Sequence, residues 1–232
     1  MENFFIEKQI YLADSNIYYK EAGKATNSSS ILFIHGWAVS VEPYQEILNI
    51  LSKRYHVVVP YLPGFGKSTA PDFVKDYSDY AELLIDFLQA LKLQPVHIVA
   101  HSLGGPIAMA LAVFKPDFAR SLIVVDSTGI PLGSLPEVLL RRAIEMSAQM
   151  GQAKPKPVLA VLLRVLYNSL FNTKKVIETA KLVLERDIRP ILPRINTPCL
   201  IIWGENDLLT PITMAQELAR NIKGSKLVIR AC

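Results

Sequence analysis

Apolar positions in this chain alternate between two periods, and the switches between them mark its elements. Residues 4–12 and 17–21, two strand-like stretches with Ala13-Asp14-Ser15-Asn16 between them, predict an antiparallel hairpin. Residues 31–34 (Ile-Leu-Phe-Ile) form a continuous apolar run, as in a strand covered on both faces. A helix is predicted over 43–53, a strand over 56–59, and a helix over 77–91 with Ser78 or Asp79 near its start. Residues 96–112 begin as a β-branched run after Pro95 and end as an Ala-rich buried helix, stopping at Lys115-Pro116. Another strand covers 121–125 and closes at Asp126.

From 130 to 193 strand signals cease. Three amphipathic helical segments are predicted near 136–150, 158–171 and 173–187, interrupted by the Pro- and Lys-containing stretch 151–157. The α/β rhythm resumes with a strand at 199–203. A helix follows, opened by Thr210-Pro211 and closed by Gly224, and then a last strand at 226–229. This order predicts an α/β fold: a mostly parallel sheet with helices on both faces, an N-terminal antiparallel hairpin and an inserted helical lid. The expected division is core 1–129, lid 130–193 and core 194–232.

Composition narrows the function classes. Half of the 232 residues are hydrophobic and a fifth are charged, enough apolar mass for a large core. The net charge of +4 is dispersed, with no basic run interleaved with aromatics, so no nucleic-acid partner is expected. Two cysteines do not make a disulfide framework, and Cys199 lies in an apolar strand as a core residue. No signal sequence or run of membrane-spanning length is read, so a cytoplasmic protein without a membrane partner is expected. No His/Cys/Asp/Glu cluster has metal spacing, and no cofactor is expected. Gly64-Phe65-Gly66-Lys67-Ser68 lacks the earlier glycine of a phosphate loop and reads as a tight turn at a pocket rim.

The chemistry centres on Ala100-His101-Ser102-Leu103-Gly104. A serine between strand and helix, with small residues two before and two after, has the pattern of a nucleophile elbow, where the tight turn requires those neighbours to be small. Ser102 then stands at a helix start, where free N–H groups favour an oxyanion, and the residue after it, Leu103, is the local donor. His35-Gly36-Trp37, Ser102, Asp126 and Asp207 all follow apolar strands, the end of an open parallel sheet where sites form.

With these motifs the chain resembles the α/β-hydrolase superfamily in its lid-bearing branch. The matching stretches are HGW at 35–37, LPGFGKS at 62–68, AHSLGG at 100–105 and WGENDLLTP at 203–211, in the family's order over nearly the whole chain. The resemblance implies Ser102 as nucleophile, Asp207 as triad acid, with Asp126 as its rival, and the N–H groups of Trp37 and Leu103 as the oxyanion hole. It implies a small-molecule substrate: an apolar ester or a related acyl or C–C compound. A serine at the nucleophile position argues against dehalogenase or epoxide-hydrolase chemistry.

One family feature is missing from the pattern. The family carries its base in a Gly-His after the last strand, and here that strand is followed only by Arg230-Ala231-Cys232. None of His35, His56, His97 and His101 is expected to serve: His35 belongs to the oxyanion loop, His56 and His97 open strands at the far end, and His101 points away from its neighbour. The expectation is a chain cut short before its histidine and last helix. Such a chain would be weakly active or inactive and prone to self-association through exposed sheet surface. The alternative is a non-catalytic pseudoenzyme or small-molecule-binding module on the same fold.

Overall fold

The computed structural model describes residues 5–24, 30–37, 41–69, 71, 74–134, 136–138, 141 and 173–231. Eight strands form one sheet in the order β1-β2-β4-β3-β5-β6-β7-β8. They are β1 (Ile6–Leu12), β2 (Ser15–Ala22), β3 (Ser30–Ile34), β4 (His56–Pro60), β5 (Val96–His101), β6 (Ala119–Val125), β7 (Cys199–Gly204) and β8 (Lys226–Arg230). β1 and β2 pair antiparallel, as does β2 with β4, and every pairing from β4 to β8 is parallel. The helices are α1 (Gln45–Ser52), α2 (Tyr77–Ala90), α3 (Gly104–Phe114), α4 (Thr173–Glu185) and α5 (Ile212–Asn221).

The predicted hairpin is present with a tighter turn. Only Ala13 and Asp14 form it, both at positive φ (47° and 59°), while Ser15 and Asn16 are already paired with Leu12 and Tyr11. Two-residue turns of this hand match the twist of the flanking strands. α2 begins at Tyr77, as predicted, and its N-cap is Asp76, just before the predicted helix. Asp76 accepts from the Tyr77 N–H, and Asp79 reaches back to the Asp76 N–H in a capping box. Short 3-10 turns at Glu42–Tyr44, Pro116–Phe118 and Arg189–Arg194 each carry a proline in their first turn; the first takes up the start of the helix predicted over 43–53, whose α-helical part begins at Gln45, and the other two lie outside the predicted elements.

All five residues of β3 and of β4 are buried, which the unbroken apolar run of β3 required. On one face, Leu32, Ile34 and Val58 join α2 and α3 in the main core. On the other, Ile31, Phe33, Val57 and Val59 pack with Leu48 of α1. Farther along, the faces differ. Ile98, Ala100, Leu122, Val124, Ile201 and Trp203 are buried, while Val99, Ile123, Val125, Leu200 and Ile202 on the opposite face are only half-buried. α3 is buried from Gly104 to Ala112, so the helix that carries the elbow has no solvated stripe. Cys199 is buried, and desolvation pushes its thiol up to about 12, which leaves it inert.

Of the three helices expected over 130–193, the one at 173–187 is present as α4. The one at 158–171 lies outside the described residues, as does most of the one at 136–150. Polar contacts fix α4 to the core. Tyr77 Oη donates to the Leu182 carbonyl (3.1 Å), Arg186 pairs with Asp76, and the Leu132 N–H donates to the Leu184 carbonyl (3.2 Å). No helix among the described residues is long and apolar enough to cross a membrane.

Candidate active site

The carboxyl ends of β3, β5, β6 and β7 bring the candidate residues together. Ser102 joins β5 to α3 at φ 52°, a left-handed conformation that side chains avoid. Four hydrogen bonds hold it there: its N–H donates to the Val125 carbonyl (3.1 Å), and its carbonyl accepts from the N–H groups of Gly105 (2.9 Å) and Thr128 (3.2 Å) and from the Thr128 hydroxyl (3.4 Å). The small neighbours are required by contact. A Cβ on Gly104 would stand 2.4 Å from the Ile34 carbonyl oxygen, and one on Gly105 would stand 1.8 Å from Ser127 Oγ. The strand–turn–helix crossing therefore closes only on glycine at both positions.

The His35-Gly36-Trp37 loop lies directly against this elbow. A Cβ on Gly36 would be 3.2 Å from Ser102 Cβ. His35 is fully buried. Its Nε2 accepts from the Leu62 N–H (2.9 Å), so Nδ1 carries the proton and donates to the Gly36 carbonyl (2.8 Å). Burial is the main cause that lowers its pKa to about 4, and the imidazole is neutral. The Gly36 N–H is taken by Tyr44 Oη (3.0 Å), which in turn lies 2.8 Å from His101 Nδ1. Burial raises the Tyr44 phenol, which holds it as a hydroxyl able to accept from Gly36 and donate to His101. The N–H groups of Trp37 and Leu103 have no hydrogen-bond partner among the described residues. Their neighbours are engaged: the Gly36 N–H by Tyr44 and the Ser102 N–H by Val125.

Asp207 and Asp126 flank Gly204: a Cβ there would be 3.7 Å from Asp126 Oδ1 and 3.8 Å from Asp207 Cβ. They differ in what binds them. Asp126, at φ 42°, accepts the Gly204 N–H at Oδ1 (2.8 Å), tying β6 to β7. Asp207 is half-buried in the following loop and is oriented by one residue, Thr210, whose N–H donates to Oδ1 (2.8 Å) and whose hydroxyl donates to Oδ2 (2.7 Å). The Glu205 N–H donates to the Arg230 carbonyl (2.8 Å), which brings the last residue of β8 alongside this loop.

Hydrogen bonds tie the four histidines to groups other than Ser102 and Asp207. His35 and His101 are committed as described. His56 lies between Ser30 Oγ (3.3 Å) and Glu21 Oε1 (2.7 Å), and His97 contacts Ser121 Oγ (2.8 Å). His56 and His97 are at the amino ends of β4 and β5, away from the elbow. Two site residues escaped the sequence reading. Tyr44 follows the predicted start of a helix, and Thr179 reads as a polar helix position, yet its Oγ1 accepts from the Trp37 indole N–H (2.9 Å) and the residue is only 2 % exposed.

A cavity of about 320 Å³ opens between residues 130–141 and the start of α5, lined among others by Ile130, Leu132, Glu137, Arg141, Pro211 and Met214. It adjoins the Thr210-Pro211 end of the Asp207 loop. Among the described residues no group of three or more His, Cys, Asp or Glu side chains is arranged to hold a metal ion.

Comparison with known proteins agrees with this arrangement. A family model described as the alpha/beta hydrolase fold matches residues 30–177. An uncharacterized hydrolase of Bacillus subtilis, YugF, is 25% identical over 233 residues, covering 91% of this chain and 85% of that protein. Lipase 3 of Moraxella sp. is 26% identical over 221 residues, covering 87% and 67%. The lip1 protein of Acinetobacter baumannii AYE superposes with a TM-score of 0.81 at 27% identity, covering 98% of this chain and 83% of that one.

Proposed function

Because the chain belongs to the alpha/beta hydrolase fold family, we propose that it is a hydrolase of the serine type with Ser102 as its nucleophile. The substrate class is a small or medium apolar ester, or a related acyl or C–C compound. The observation that carries the reading is the left-handed Ser102 at the β5–α3 turn with the His35–Trp37 loop packed against it, where the N–H groups of Trp37 and Leu103 have no hydrogen-bond partner among the described residues. A carbonyl carbon attacked by Ser102 Oγ gives its oxygen a full negative charge, and two preorganised donors lower the barrier by stabilising it there. The serine proton passes to a base, the alkoxide leaves with that proton, and water hydrolyses the acyl-enzyme. Asp207 is the acid that orients the base. Asp126 is the structural member of the pair, since Gly204 already holds it. Residues 130–193 are the lid insertion of this reading. The names hydrolase and lipase borne by the two relatives support ester chemistry.

A second reading rests on a specific observation. All four histidines have hydrogen bonds away from Ser102, so none of them is poised as the base. The 232-residue chain by itself then turns over slowly, or it binds small molecules without catalysis. In serine-hydrolase triads, loss of the histidine costs turnover roughly a million-fold, although the oxyanion hole and binding leave residual catalysis. Fluorophosphonate labelling read by intact mass separates the two. Rapid mass gain abolished by Ser102→Ala supports the hydrolase with an activated serine. No labelling of the folded chain supports the binding module.

A further inference from the structure

The hydrogen bond between Trp37 and Thr179 has a consequence for the oxyanion loop. Thr179 occupies an inward position of α4, where the next inward residue, Leu182, is apolar and buried. A hydroxyl at such a site has a cost unless it is matched to a polar partner, and here the partner is the Trp37 indole N–H at 2.9 Å. The indole body packs against the core while its N–H reaches the helix. α4 is a fixed bracket for that reach. Within two turns of Thr179 it is tied by Leu182 to Tyr77, by Leu184 to Leu132 and by Arg186 to Asp76. On the other side of Trp37, Gly36 is held through its N–H by Tyr44. The Trp37 peptide is thus clamped by Tyr44 at its preceding residue and by Thr179 at its own side chain.

We propose that Thr179 is a positioning residue: through the indole it sets the direction of the Trp37 backbone N–H and so makes the oxyanion hole depend on where α4 sits. This inference rests on the reading of Trp37 as an oxyanion donor. Loss of the acceptor leaves a part-buried indole donor without this partner, and the ring must move to find another. A displacement of about 1 Å in a catalytic group lowers rates up to roughly a hundred-fold.

The chain has two tryptophans, so selective ¹⁵N-tryptophan labelling gives two backbone and two indole cross-peaks. Trp203, whose indole donates to the Thr210 carbonyl (2.7 Å), serves as the internal control for folding. In Thr179→Val the Trp37 indole and backbone peaks both shift and those of Trp203 stay, and in Thr179→Ser the two Trp37 peaks return to their parent positions. A Thr179→Val spectrum in which the indole peak moves and the Trp37 backbone peak does not overturns the proposal. If valine disturbs the Trp203 peaks, the same comparison is made with Thr179→Cys, which keeps the shape but offers only a weak sulfur acceptor. Consistent with positioning, Thr179→Val lowers the limiting rate of fluorophosphonate labelling about 10- to 100-fold with the half-saturating concentration unchanged. The underlying reading is checked separately. A Ser102 adduct that leaves the Trp37 backbone peak unmoved overturns its oxyanion role, even where the threonine comparison holds.

Discussion

Ser102 carries its own measure of strain. A non-glycine residue in the left-handed region costs about 1–2 kcal/mol, and the elbow bears that cost at φ 52°. Glycine removes the strain, but its freer unfolded chain gives back about 0.4–1 kcal/mol. Ser102→Gly is therefore expected to be more stable than Ser102→Ala by about 0.5–1 kcal/mol, roughly 2 °C in midpoint for a domain of this size. Thermal unfolding of the two variants side by side decides this, and equal midpoints would mean that the backbone is relaxed. The sequence made part of this legible. Ala100 and Gly104 are the small residues that a tight strand–helix crossing demands, and both were read as such. Gly105 was not, because the atom that forbids a side chain there, Ser127 Oγ, arrives from β6's end, 22 positions along the numbering of a separate element.

Among the elements, the loop at 35–37 has three tethers, each from a different part of the fold: Leu62 to His35, Tyr44 to Gly36 and Thr179 to Trp37. Tyr44 is the middle of a chain, accepting from Gly36 and donating to His101. Tyr44→Phe leaves the Gly36 N–H and one histidine nitrogen without that partner. It should cost about 1–3 kcal/mol in urea unfolding and slow Ser102 labelling. If the variant is as stable as the parent, the Tyr44 hydroxyl is not holding the loop. These tethers explain what periodicity could and could not reveal. The strands were legible because one apolar period runs through each of them, and α4 because Leu182 recurs at helical spacing. The Trp37–Thr179 bond joins residues 142 apart and the Tyr44–His101 contact residues 57 apart. No local pattern marks the Thr179 or Tyr44 hydroxyl as destined for so distant a partner, so each reads as an ordinary helix position.

For the molecule as a whole, the neutral imidazole at the site couples stability to pH. His35 titrates at about 4 when folded against about 6.5 when exposed, because burial disfavours its charged form. The unfolded chain thus binds the proton first as pH falls. Stability from this group is fully present above pH 6.5 and is lost as pH drops through 6.5 toward 4, reaching about 3 kcal/mol when the whole window has been crossed. His97 is shifted in the same direction, by burial and then by Arg120, and adds to the fall. Glu21 and Asp187 do not oppose it in this window. Both carboxylates are held below their ordinary values, Glu21 by Lys8 and His56 against its own burial and Asp187 by Arg189, so their contributions disappear only below the ordinary carboxylate range. Urea unfolding at pH 7.0, 5.5 and 4.5 should show a stability loss of about 2 kcal/mol or more across that interval, with proton uptake on unfolding. His35→Asn keeps a donor toward the Gly36 carbonyl but has nothing to titrate, so its stability is lower at pH 7 and its slope flatter. A variant slope as steep as that of the parent would place the titrating group elsewhere. The loop beside Ser102 would then be insensitive to acid, and loss of Ser102 labelling at low pH would have to come from the base rather than from the scaffold.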